Sequence, residues 1–274
     1  MATTTPTVPR PRPAPSRARS WRVPRHGLGL GLSTLYLSLI VLIPLAAVVE
    51  QSVSSGLSTF WDSITSTLAV NALEVTVVAS LIVAAISAVM GTLVAWVLVR
   101  DEFPGKRIVN ALIDLPFALP TIVVGLTLLA LYGPTSPLHV HLAYTRAIVI
   151  VALLFITLPF VVRSVQPVLM ELDAEVEQAA ASLGASNAVT FRRIVLPALA
   201  PSIVSGAALA FARSVGEFGS LALITAKVQI ASLVIYADIE SGDTQSAAAL
   251  SVVLMAISLV VLFVIRRLGA RVAG

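Results

Sequence analysis

Few residues in this chain can do more than fill apolar space, and several of those lie inside long apolar runs. Arg213 and Glu217 are four apart in one such run, and Asp114 sits at the edge of another. A charge at the centre of a membrane helix costs roughly 2.5–3.5 kcal/mol, so each needs a partner or water. A spacing of four puts Arg213 and Glu217 on one helix face. Two readings stand: the residues line a path or its gate, or they pair to fix one helix against its neighbours. Pro116 and Pro120 are also four apart. Each removes a backbone donor and leaves a carbonyl without its helical partner. Broken helices at membrane depth often line a cavity, and a simple kink that shapes packing is the alternative. His139 and His141 have no carboxylate nearby, which favours a solvent-facing loop over a metal site.

Other chemistries lack their residues. The chain has no cysteine, which excludes disulfides and thiolate metal sites. It has no glycine-rich loop ending in Gly-Lys-Ser/Thr, so it lacks the usual phosphate cradle for ATP. There is no paired-histidine metal motif, and nothing sets a base beside a nucleophile, which argues against a membrane-embedded enzyme. No glycine-aromatic filter loop supports an ion channel. No catalytic, cofactor or metal residue is expected in this chain.

The elements that must position these residues are membrane helices. Of 274 residues, 57% are apolar and 12% charged. A soluble domain runs at roughly 45–50% and roughly 25%, so an ordinary globule, a disordered chain and a coiled coil are excluded. Uncharged runs lie between His26 and Glu50, Glu74 and Arg100, Asp114 and His139, Arg146 and Arg163, Arg193 and Arg213, and Asp243 and Arg266. Each is long enough, or nearly so, for a helix of roughly 17–25 residues to cross a bilayer. The expected fold is therefore an all-α membrane protein of six spans: about 28–49, 75–99, 108–131, 147–162, 198–224 and 247–265. Pro44 should bend the first. Phe60 and Trp61, in the connection after it, suit a membrane interface. Small residues such as Ala84, Gly91, Gly206 and Ala208 let the helices pack closely.

Basic residues set the orientation. Residues 1–26 carry six prolines and six arginines and too few large apolar residues to bury a core, so a disordered cytoplasmic tail is expected. A signal peptide is the alternative, but the apolar run that follows is long enough to span and be retained. A topology signal is also a simpler reading of those arginines than nucleic-acid binding. Arg100, Lys106 and Arg107, then Arg163, Arg192 and Arg193, and finally Arg266, Arg267 and Arg271 fall in every second connection, on the same side as the basic tail. That alternation puts both termini in the cytoplasm. The expected domains are the tail 1–26, a first span with its outside connection 27–70, a core 71–267 containing a cytoplasmic segment 164–197, and a C-terminal tail 268–274.

That segment carries the strongest signal. Glu171, Asp173, Glu175 and Glu177 suit the opening of a helix, where carboxylates complement the dipole. Leu172, Val176, Ala179, Ala180 and Leu183 recur on one face. Gly184 suits the left-handed turn that ends it, and a second helical stretch runs from Asn187 to Pro197. Such a helix–turn–helix is a docking element with a small-residue face, or else an ordinary interfacial helix.

Spacing discriminates between these. Gln178-Ala179-Ala180, three residues, Gly184, nine residues, and Ile194-x-Leu196-Pro197 resemble the cytoplasmic loop of ABC-importer permeases, the binding-protein-dependent inner-membrane components. The family's glutamate falls on Gln178, with Glu177 one residue earlier. Phe103-Pro104-Gly105-Lys106, Asp114-Leu115-Pro116-Phe117-Ala118-Leu119-Pro120-Thr121, Pro159-Phe160-Val161-Val162-Arg163, Val165-Gln166-Pro167-Val168-Leu169 and the run from Phe211 to Gly219 are similar to the sulfate/thiosulfate branch, and overlap with the molybdate branch. The resemblance covers about 28–266. It implies a type I permease fold that forms half of a translocation path beside a second, homologous permease. It also implies two ATPase subunits that bind ATP and Mg, and an extracytoplasmic sulfate-binding protein. Glu177, Gln178, Ala179, Ala180, Gly184, Ile194, Leu196 and Pro197 would form the ATPase-coupling surface. Asp114, Pro116, Pro120, Arg213 and Glu217 are candidates for the path or gate. The expected location is the cell membrane.

Overall fold

A computed structural model describes residues 25–225 and 228–272, and the chain divides into two compact units, 1–46 and 47–274. The basic tail through residue 24 lies outside the described residues. The first unit contains α1 (Arg25–Leu37), a π turn (Ser38–Leu42) and the opening of α2 (Ile43–Val53). In the π turn Ile43 N–H donates to the carbonyl of Ser38, five residues back. The turn falls just before Pro44, which has no N–H to give and whose ring crowds the carbonyl four back. The expected bend is thus a widened turn. Leu35, Leu39, Ile40 and Leu42 are all exposed, as lipid-facing side chains are.

The second unit takes up the rest of α2 and continues with α3 (Leu57–Thr65), which carries Phe60 and Trp61 in edge-to-face contact, and α4 (Thr67–Arg100). Ser66 separates them, its hydroxyl accepting from Ala69 N–H at the start of α4. Then follow α5 (Lys106–Ala118), α6 (Thr121–Tyr132), α7 (Arg146–Glu171), α8 (Ala174–Ser182), α9 (Asn187–Thr190), a second π turn (Phe191–Val195), α10 (Leu196–Val215), α11 (Gly219–Ile224), α12 (Ala231–Ser241) and α13 (Thr244–Val272). Among the described residues, five helical stretches are long and apolar enough to cross a membrane, and the bent pair α5–α6 makes six if it counts as one span.

The core is α4, α7 and α10, packed on one another, with α13 against α10. Glycine makes the approach possible. A Cβ on Gly91 of α4 would fall 2.7 Å from Val161 Cβ, and one on Gly206 of α10 would fall 2.7 Å from Val161 Cα. Val161 of α7 is therefore held between two helices that each lack a side chain there, the close approach that packing in lipid favours.

Several expected boundaries are corrected. Span three is not one helix over 108–131: α5 and α6 meet at 114°. Proline disfavours the helical region for the residue before it. Leu119 is accordingly extended (φ −89°, ψ 134°), Pro120 follows at ψ 135°, and two extended residues in succession redirect the chain. Span five ends at Val215 rather than near residue 224, with a break at Gly216–Phe218 before the short α11. Span four continues to Glu171, nine residues past Val162, so the segment expected from Ser164 begins at Leu172. The C-terminal tail expected from residue 268 is helical to Val272.

The helix α12 was not foreseen. It ends on Gly242 in the left-handed conformation (φ +86°). Asp243 then caps α13 by accepting from Ser246 N–H, a bond that holds its carboxyl below the usual range. Asp238 is pushed up, first by burial and then by the charge of Asp243.

Candidate functional site

The helix–turn–helix forms as its residues dictate. Asp173 caps α8, its Oδ1 accepting from Glu175 N–H at 2.9 Å. At the other end Ala185 N–H donates to the Ala180 carbonyl and Gly184 N–H to the Ala181 carbonyl, a Schellman closure. Gly184 sits at φ +83° with open space where a Cβ would point. The second π turn closes with Leu196 N–H on the Phe191 carbonyl, just before Pro197. This repeats the arrangement before Pro44 and steers the chain into α10.

The candidate docking face is open. Gln178, Ala179 and Gly184 are exposed, Val176 is 45% exposed and Leu183 90%. Ala180 and Ile194 are half-buried, and Leu196 and Pro197 exposed. An apolar residue as open as Leu183 next to two alanines leaves a surface that burial against a partner would stabilise.

Glu177 differs from its neighbours. Arg100 Nη2, at the end of α4, donates to Glu177 Oε1 at 2.5 Å and also reaches the Leu172 carbonyl at 3.4 Å. The family's glutamate position is held by Gln178, and the carboxylate next to it is spent inside the chain. The pairing of Glu177 with Arg100 was not foreseen from the sequence.

The second constellation gathers at two helix breaks. Arg213 Nη1 lies 2.7 Å from Glu217 Oε2, confirming the pairing that their spacing suggested. Glu217 is only 1% exposed, and its other oxygen accepts from both the N–H and the hydroxyl of Ser220, each at 2.9 Å. The carboxylate therefore caps α11 as well as neutralising Arg213. Ser232 donates to the Glu217 carbonyl. The break beside Glu217 packs on the break at Leu119–Pro120. A Cβ on Gly125 of α6 would sit 2.6 Å from the Ser220 carbonyl oxygen, and one on Gly219 would strike Thr121 Oγ1. Pro120 and Glu217, far apart in sequence, thus stand at two facing breaks. Pro116 lies inside the last turns of α5.

Asp114 does not join them. It accepts from Arg163 Nε at 2.7 Å and Nη2 at 2.6 Å, a bidentate pair between α5 and α7. Arg163 also donates to the side chain and carbonyl of Asn110 and to Gln166. Arg100, Arg163 and Ser220 contact candidate site residues and were not among the candidates read from the sequence. Arg100 had been read as a topology signal, and Arg163 as a topology signal and part of a family motif. His141 reaches the Pro134 carbonyl at 3.2 Å, and no group of metal-ligating residues occurs among the described residues.

Residues 87–274 match the model of the binding-protein-dependent transport system inner membrane component family. The chain is similar to the sulfate transport system permease protein CysT of Synechocystis sp., 44% identical over 245 residues, covering 85% of this chain and 86% of that one. It is 40% identical over 267 residues to the protein of that name from Escherichia coli, covering 92% and 96%. Among solved structures it resembles a chain of a bacterial alginate ABC transporter in complex with an alginate pentasaccharide-bound periplasmic protein, with TM-score 0.74 at 17% identity, covering 90% and 94%. A chain of the inward-facing MetNI methionine ABC transporter gives TM-score 0.56 at 18% identity, covering 74% and 94%. At these identities the two structures speak to the fold alone, which is that of ABC-transporter permeases.

Proposed function

Because this chain belongs to the binding-protein-dependent transport system inner membrane components, we propose that it is the permease of an ATP-driven importer for sulfate or thiosulfate. It is a transport subunit and not an enzyme. The similarity to the CysT relatives over most of the chain carries this reading. Motifs shared with molybdate permeases leave the choice of oxyanion to experiment.

In this reading two permeases form the translocation path, one of them this chain. An extracytoplasmic binding protein delivers the oxyanion, and two ATPase subunits beneath the membrane bind ATP and Mg. The exposed face of α8 around Gln178, Ala179 and Ala180 docks in a groove of one ATPase, with Gly184, Ile194, Leu196 and Pro197 fixing the angle of the helix that follows. Closure of the ATPase pair rocks the permeases between inward- and outward-open states. Pro120, Arg213 and Glu217 border the path, Arg213 offering a cation whose charge is balanced before the anion arrives. Asp114 and Pro116 shape that wall from α5, with Arg163 cancelling the Asp114 charge.

Vesicles reconstituted with this chain and all its partners should take up labelled sulfate only with ATP and the binding protein. Uptake of molybdate but not sulfate or thiosulfate would reassign the substrate, and failure with every oxyanion would sink the reading.

The basic residues place the N-terminal tail, α8 and the C-terminus in the cytoplasm. The absence of native cysteine makes labelling clean. Single cysteines at Ser16, Ser186 and Ser58 should react with a membrane-impermeant reagent in intact cells only at Ser58. Labelling of Ser186 from outside would reverse the topology and remove the docking role with it.

A further inference from the structure

The last turn of α4 holds both halves of the docking segment. Trp96 and Arg100 are four apart and share a face. Trp96 meets Phe191, in the π turn after α9, edge to face with ring centroids 5.4 Å apart. Arg100 reaches the other half, pairing with Glu177 of α8 at 2.5 Å. The guanidinium also lies 5.9 Å from the centre of the Trp96 ring, joining the two contacts into one assembly. The ion pair is largely shielded, its side chains 23% and 25% exposed, so water screens it less than a surface pair. Arg100 Nε is buried without a hydrogen-bond partner. Contacts at Nη2 and over the ring therefore hold this rotamer.

These contacts matter because α8 has little else. Among the described residues, α9 is the one element against which α8 packs to any extent. By contrast α4 is packed along its length on α7 and α10. A push on α8 reaches the bundle through the chain, back over residues 172–173 into α7 or around the Gly184 turn into α9, and directly across the Arg100–Glu177 pair to α4.

We propose that Trp96, Arg100 and Glu177 form a clasp that makes α8 and α4 move as one body, so that α4 receives the displacement of the docked ATPase directly. Arg100 is then a positioning residue that acts through Glu177. This rests on the docking role of α8, but it is separable from it, because the exposed residues that would meet the ATPase are not in the clasp.

The test uses the complete importer in proteoliposomes, reading three quantities: ATPase subunit retained on purification, ATP hydrolysed, and sulfate taken up per ATP. Arg100→Gln and Glu177→Gln should keep the ATPase subunit bound. Each should lower sulfate taken up per ATP by about 2- to 30-fold, the range for residues that carry coupling without touching ligand. The exchange Arg100→Glu with Glu177→Arg should recover most of that loss. Should Arg100→Gln fail to reach the membrane, Glu177→Gln, which leaves α4 unchanged, decides alone. Cysteines at 100 and 177 joined by a short bifunctional reagent should leave uptake intact, since a clasp has no need to open. Unchanged uptake per ATP in both single variants would overturn the proposal. So would loss of the ATPase subunit in either, which would make the pair a support of the docking surface only, and so would inactivation by the cross-link. Failure of the docking role itself is read elsewhere, in an Ala179→Glu variant that still holds the ATPase.

Discussion

Replacing Gly184 with valine is expected to abolish ATP-driven uptake while leaving insertion into the membrane near normal. The turn places this residue at φ +83°, where its N–H and that of Ala185 close the carbonyls of Ala181 and Ala180. A side chain with a Cβ costs roughly 1–2 kcal/mol in the left-handed region, and a β-branched one more. Space is not the problem, since a Cβ there meets nothing within 4 Å. The penalty is conformational, and the turn relieves it by opening. Opening re-aims α8 relative to α9 and presents Gln178 and Ala179 at the wrong angle. The spans lie elsewhere, so the amount of protein in the membrane should hardly change. Ala179→Glu probes the same surface without touching the turn. It sets bulk and charge on an exposed small residue that an interface would have to desolvate, at a cost of several kcal/mol for an unpaired charge. Both variants should lose the ATPase subunit on purification and lose uptake together. A helix that merely rested on the membrane surface would tolerate the new glutamate, because its carboxylate could reach water. Retention of ATPase and normal uptake in both variants would remove the docking assignment.

The turn at Gly184 was legible because its cause is local. A capping aspartate, a small-residue face and a glycine lie within a dozen residues, and each acts on its neighbours. The long helices α4, α7 and α13 were legible for the same reason, since a run of apolar residues is all that a span requires. Direction is a different matter. Apolar content over residues 108–131 counts length and says nothing of a 114° turn. The signal was present in Pro120, which forces Leu119 out of the helical region, but kink and break differ only in what the following helix packs against. Here that is α11, and the contact depends on the missing side chain at Gly125. Pairings across sequence were hidden more completely. Arg100 meets Glu177 and Arg163 meets Asp114 across 77 and 49 positions. In a one-dimensional reading both arginines look like ordinary basic residues beside a membrane. Only Arg213 and Glu217 disclosed their pairing, because one turn of helix separates them.

Arg213→Ala should cause the largest loss of folded protein among changes to single charges in the spans. Glu217 is buried to within 1% and its Oε2 would lose the guanidinium that pairs with it. Breaking a buried pair from one side costs about 3–5 kcal/mol, because the charge left behind is neither solvated nor neutralised. Ser220 would still donate two bonds to Oε1, which soften this cost without supplying charge. Glu217→Ala should be milder. Arg213 is less deeply buried than Glu217, 34% exposed at its side chain, although α11 loses its cap, worth about 1 kcal/mol. The double change removes the orphaned charge and should recover part of the folded yield, the missing part being the cap. Resistance to unfolding in mixed detergent, measured for all four members of the cycle, gives the coupling energy between the two side chains. Additive effects would reject the pair. Uptake by the double variant then separates the two roles that the geometry permits. If Arg213 borders the path, recovered protein should still fail to import sulfate, because the cation facing the anion is gone. Import at the wild-type rate in the double variant would show that the pair only secures the break between α10 and α11.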